Sequence, residues 1–263
     1  IGHMSDDPNA AGRHILGDRI GDGAGHVFRA FNITLGHEVA VKVPPAGAAA
    51  ARRFIETARI AARLLHPGIV PLHDLGTLPD GRPFLAMKLI KGATLDTVLR
   101  RCQNSAADRG RFVEVFLAVA QAVAYAHSCG VIHRDLTPQN VMIGAFGEAQ
   151  VIGWGRARVL GSEERQDHEP DPQPDPVGTP AYLPPEQAAG GSGPVDARGD
   201  VFGLGGVLAA MLTGEPPPAA SSAVVAHFVQ SRRVVRNVGR FTARTARPPR
   251  IGRGAACRSG ARA

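Results

Sequence analysis

The sequence predicts an α+β protein of two lobes, a small sheet carrying one helix followed by a mainly helical lobe. Three observations carry that prediction. Up to about Ile90, short runs alternate apolar and polar side chains between Gly, Pro and Asp turns, the period-2 signature of half-buried strands. From Thr94 onward the apolar residues recur at helical spacing. Among the helices lies His133-Arg134-Asp135-Leu136-Thr137-Pro138-Gln139-Asn140, which sets an aspartate and an asparagine close together in one short loop.

With 263 residues and 44% hydrophobic content, the chain can bury the core of one large domain or two lobes. Ile1-Gly2-His3-Met4 reads as an expression scar, and residues 1–13 as a flexible N-terminus. Residues 14–90 make the first lobe. From Ile15 to Lys42 the pattern is strand, glycine turn, strand and third strand, with Val39, Val41 and Val43 marking one buried face. Ala46 to Leu65 has helical composition and stops at His66-Pro67-Gly68. Two apolar runs flanking Pro79-Asp80-Gly81 read as a hairpin.

Residues 91–218 make the second lobe. Leu95–Arg101 and Val113–Cys129 read as helices, the latter with a stripe of Phe116, Val119, Ala120, Val123 and Ala126. Residues 161–177 hold acids and prolines with no apolar side chain before Val177, the composition of a flexible loop. Val201–Leu212 reads as a buried helix closed by Thr213-Gly214. Residues 219–263 are expected to form a disordered, Arg-rich tail.

The net charge of +7 belongs to that tail. Ten arginines fall between Arg232 and Arg262, no acid follows Glu215, and the remaining chain holds 20 basic against 23 acidic residues. Such a tail attracts nucleic acid and other polyanions only non-specifically. Cys102, Cys129 and Cys257 lack metal-ligand spacing, and an odd number gives no disulfide framework, so a reducing, cytoplasmic setting is expected. The longest apolar run falls short of the ~20 residues that span a bilayer, so no membrane segment is expected.

Ile20 to Ala30 reads IGDGAGHVFRA, with Gly21, Gly23 and Gly25 followed by Val27. Glycines between two strands let backbone amides approach phosphates, although an ordinary glycine-rich hairpin has the same look. Lys42, closing Val39-Ala40-Val41-Lys42, then falls where a strand lysine would meet a nucleotide's phosphates. In the octet, Asp135 can accept a hydroxyl proton and Asn140 can ligate a metal. Further on, Gly153 precedes Trp154-Gly155.

In order and spacing, the residues from His14 to Pro217 resemble bacterial Hanks-type serine/threonine protein kinases. The resemblance implies a two-lobed protein-kinase fold, ATP as ligand with Mg2+ or Mn2+, and an unidentified protein substrate or partner. It implies that Met87 is the gatekeeper, that the backbone of Lys88 and Ile90 meets adenine, and that Val27, Ala40 and Met142 sandwich the ring. Gly178 to Glu186 resembles the end of an activation segment, including Thr179 and Glu186, and Asp200 would brace the catalytic loop. Beyond Pro217 the motifs stop, which implies a truncated second lobe.

Four departures bear on activity. The glycine loop is one residue short. Thr57 takes the place of the helix glutamate, with Glu56 one residue and therefore about 100° of rotation away. Thr137 replaces a lysine that neutralises the γ-phosphate, a loss worth on the order of 10²–10³ in rate. Gly153 stands where the metal-binding aspartate belongs, leaving Asn140 as a neutral ligand. The resemblance therefore implies a pseudokinase or very weak kinase acting as scaffold or regulator. The alternatives are an active kinase transferring the ATP γ-phosphate to protein hydroxyls, and a polyanion-binding protein acting through its tail.

Overall fold

The computed structural model describes residues 10–11, 13–23, 25–101, 109–161, 180–184 and 196–217. Six strands form one antiparallel sheet in the order β1-β2-β3-β4-β6-β5. They are β1 (Ala10–Ala11), β2 (His14–Gly23), β3 (Gly25–Asn32), β4 (His37–Val43), β5 (Leu72–Thr77) and β6 (Pro83–Lys88). One helix, α1 (Ala48–Ala61), crosses between β4 and β5. It is shorter at both ends than Ala46–Leu65, because Gly47 at φ 128° precedes its first turn and Arg63 and Leu64 donate to carbonyls three residues back. That tightening is 3₁₀-type closure of a last helical turn.

The second part starts with β7 (Gly92–Thr94) and contains α2 (Leu95–Arg101) and α3 (Arg109–Ser128). β8 (Val131–Ile132) pairs with β11 (Arg158–Val159), while β9 (Val141–Gly144) lies between β7 and β10 (Ala149–Val151). The last described helix, α4 (Ala197–Thr213), is capped by the Asp196 side chain, which accepts from the Arg198 amide. Gly214, left-handed at φ 78°, ends it. Among the described residues no helix is long and apolar enough to cross a membrane.

Alternation in β4 does what its sequence demands. Val39, Val41 and Val43 are buried with Ala30, Leu78, Phe84 and Ala86 in a small core under the sheet. A larger core gathers Val115, Val119, Ala122, Val123 and Ala126 of α3 with Val141, Val151, Val207 and Met211. The α3 stripe is thus rotated from the expected one: Phe116 and Ala120 are only partly buried at its border. Ile69 and Val70 belong to this larger core, although they precede β5. The amide of Val70 donates to Val151 O (3.2 Å) and that of Val151 to Gly68 O (2.8 Å), which ties the sheet part to the helical part.

Candidate functional site

The loop after β8 is held by a buried carboxylate. Asp200, near the start of α4, is 2% exposed. It accepts from the His133 amide (2.8 Å), the Arg134 amide (2.7 Å) and His127 Nε2 (2.8 Å). Burial alone would push its carboxyl up, but the His127 bond, the neighbouring His133 imidazole and the two backbone donors prevail and hold it below its ordinary value. Arg134 sits at φ 69°, the one non-glycine residue with positive φ among the described residues. A non-glycine backbone stays in that region when its surroundings fix it, and Asp200 does so.

His133 then aims the loop. Its Nε2 donates to Ile152 O (2.9 Å) and its Nδ1 accepts from the Asp135 amide (3.2 Å), which fixes the tautomer. Its ring packs edge-on against Trp154 at 4.6 Å between centroids. Asn140 follows in the 3₁₀ turn Pro138–Asn140, and its Nδ2 donates to Asp135 O (2.8 Å) and Asp135 Oδ2 (3.0 Å). The structure thus brings Asp135 and Asn140 into direct contact. Thr137 is 2% exposed and presents no cation.

Position 153 has a definite shape. Gly153 is left-handed, φ 81° and ψ 26°, just before the turn Trp154–Arg156. A β-carbon there would overlap the Asn140 amide, lying 2.6 Å from its Cγ. Real Cβ contacts do not come that close, so the amide occupies the space a side chain at 153 would need.

Lys42 reaches the same place from the sheet. Its ammonium lies 3.7 Å from where a Gly155 β-carbon would be. Burial pushes its pKa down, and the nearby Asp135 charge only partly offsets that. Among the described residues no carboxylate forms an ion pair with it. Glu56 points outward to Arg52 (3.7 Å). The Thr57 hydroxyl is turned back onto its own helix, donating to the Arg53 (3.0 Å) and Phe54 (3.1 Å) carbonyls.

Sheet register gathers the remaining candidates. Val27 stands opposite both Gly21 and Lys42, and Ala40 stands opposite Met87. With period 2 along each strand, Gly21, Val27, Ala40, Lys42 and Met87 share the face opposite the valine core. Lys88 donates its amide to Pro71 O (3.0 Å). Ile90 lies between β6 and β7, and no backbone–backbone hydrogen bond among the described residues uses it. Met142, on β9, pairs with Thr94.

Gly23 and Gly25 pair directly across the hairpin tip. Gly25, at φ 122°, is where β3 presses on β4: a β-carbon there would overlap Val43 O and lie 3.1 Å from Pro44 Cα. Its glycine is therefore required by chain packing. Asp22, beside the tip, accepts from Arg19 and faces His26 Nδ1 (3.1 Å).

Thr179, Glu186, the acidic run after Gly161, Cys102, Cys257 and the Arg-rich tail lie outside the described residues. Sequence reasoning missed three participants: His127, which bonds Asp200; His133, whose ring joins the loop to Ile152; and Asp22. His133 opens the quoted octet and His127 lies six residues before it, but their partners Ile152 and Asp200 are 19 and 73 positions away.

A sheet lobe whose lysine faces an Asp–Asn loop, itself braced from a buried helix, defines a domain of the protein kinase class. The protein kinase domain model matches residues 15–252, and the chain belongs to that family. The match continues past Pro217, further than the motifs alone carry the resemblance.

The relatives are bacterial serine/threonine-protein kinases. The chain is 38% identical over 214 residues to the DNA damage-responsive serine/threonine-protein kinase RqkA of Deinococcus radiodurans, covering 79% of this chain and 30% of that protein. It is 37% identical over 222 residues to the serine/threonine-protein kinase PknB of Mycobacterium leprae, covering 81% of this chain and 34% of the relative. A probable serine/threonine-protein kinase PknB of Bifidobacterium longum is 36% identical over 228 residues, 82% of this chain and 32% of its own length. The chain thus spans about a third of these relatives.

Family membership implies ATP with a divalent cation. The residues fit the two unequally. The sheet face and the unused Ile90 backbone suit an adenine nucleotide. The metal side offers the Asn140 Oδ1, a neutral ligand, and no carboxylate from position 153; magnesium prefers carboxylate plus water.

Proposed function

We propose that this chain is a nucleotide-binding pseudokinase domain, with residues 14–90 and 91–218 as its lobes, acting in the cytoplasm as a scaffold or regulator of a protein partner. Adenine sits against Val27, Ala40 and Met142, beside Met87 and the Lys88 and Ile90 backbone, under the Gly21–Gly25 hairpin. Lys42 meets a phosphate. The observation that carries the pseudokinase reading is position 153, which has no side chain and whose side-chain space is filled by the Asn140 amide. Phosphoryl transfer is almost entirely positioning and charge neutralisation, so losing the metal carboxylate and a phosphate-neutralising lysine removes its main source.

A second reading, a working serine/threonine kinase, is favoured by the braced loop that still holds Asp135 and Asn140 in contact. One assay separates them. Transfer of radiolabelled γ-phosphate to a generic basic protein, with magnesium or manganese, should not exceed that of Asp135→Asn. Transfer well above that variant would overturn the pseudokinase reading.

A further inference from the structure

We propose that this site reads the adenine nucleoside and is nearly indifferent to the phosphate chain, so that its physiological ligand is any adenine nucleotide or adenosine rather than ATP in particular. The inference rests on the nucleotide-binding reading above and comes from an asymmetry between the two ends of the site.

The base end is complete. Gly21, Val27, Ala40 and Met87 share one sheet face through their register. Ile90, which packs against the larger core, keeps its backbone out of the backbone hydrogen bonds of the described residues. Adenine needs such a flat apolar face plus a free backbone donor and acceptor.

The phosphate end is dismantled at each place a phosphate would be met. Next to the hairpin tip the Gly23–Gly25 pairing continues the ladder, and Gly25 is pressed against the Val43–Pro44 backbone, so these two glycines lie in a closed ladder rather than an open loop. Asp22 adds a carboxylate there, with Arg19 and His26 turned onto it. On the opposite side, Thr137 is buried without charge, and the Asn140 Nδ2 donates to Asp135. Lys42 supplies a cation, and it already faces the Asp135 carboxylate, which also repels an incoming phosphate. Added phosphates therefore gain from Lys42 and lose to Asp135, while the Arg19–Asp22 pair at the tip adds little net attraction.

Calorimetric titration of adenosine, AMP, ADP and ATP into the intact chain in EDTA tests this. The four dissociation constants should agree within about threefold, by the rule that ~1.4 kcal/mol of added contact would give tenfold. Asp22→Asn, an exposed change that leaves the strands intact, should tighten ATP by roughly three- to tenfold while leaving adenosine unchanged, because only phosphate feels the removed charge. ATP binding more than tenfold tighter than adenosine would overturn the inference and leave the nucleotide-binding reading standing. Failure of all four to bind would overturn that reading and this inference with it.

Discussion

Restoring the carboxylate at Gly153 should weaken the empty protein and create a metal response. In Gly153→Asp, the aspartate must adopt φ 81°, which costs about 1 kcal/mol for a non-glycine residue. Its β-carbon would also displace the Asn140 amide, which then gives up its bonds to Asp135 O at 2.8 Å and Asp135 Oδ2 at 3.0 Å. Those bonds are worth about 1 kcal/mol and, for the charged acceptor, about 1.5–3 kcal/mol, partly regained from water. A net loss of roughly 2–4 kcal/mol follows, or roughly 5–15 °C in Tm for a domain of this size. Gly153→Ala should show a comparable fall, since it has the same Cβ. With ATP present, only the aspartate variant should regain stability on adding magnesium, because it alone supplies a carboxylate for the ion. Differential scanning calorimetry of both variants, with and without Mg-ATP, checks this. An unchanged Tm in both would show that the Asn140 amide does not hold that space. A magnesium response shared by the alanine variant would refute the carboxylate argument.

Lys42→Met should raise the Tm of the empty protein by a few degrees at pH 7, since burial already disfavours the ammonium. The parent's folded Lys42 has a lowered pKa, so its unfolded chain binds more protons above that value; parent stability should climb as pH approaches ~10.4, and the variant should lack that climb. Asp200→Ala should cost roughly 3–5 kcal/mol by denaturant melts, because it strands two buried amides and His127. As the folded carboxyl is held below its ordinary ~3.9, the stability Asp200 provides is present above about pH 4 and lost as pH falls through the folded value; Asp200→Asn should flatten the parent's acid melt there.

Local chemistry made much of this legible. Alternating Val39, Val41 and Val43 placed β4 and its buried face, and the helical rotation between Thr57 and Glu56 foresaw a glutamate turned away, as its Arg52 contact shows. The Asp200 brace followed from motif order. What stayed hidden depends on contacts between distant residues. His127 meets Asp200 across 73 positions. The contact of Gly25 with the end of β4, which demands glycine there, is likewise not written in its spacing. The Asn140 amide fills the space a side chain at 153 would need, and no spacing rule encodes that. Nor does the chain order reveal that Ile69 and Val70, within the first expected lobe, join the core of the second.

If the proposed function holds, nucleotide binds without a metal, because position 153 offers the ion no ligand. Calorimetric titration of ATP into the chain in EDTA, then in excess magnesium, measures it directly, since ligand binding and its metal dependence both appear in Kd. Equal affinities, within about threefold, are expected. Binding that is strong with magnesium and vanishes in EDTA would contradict the account.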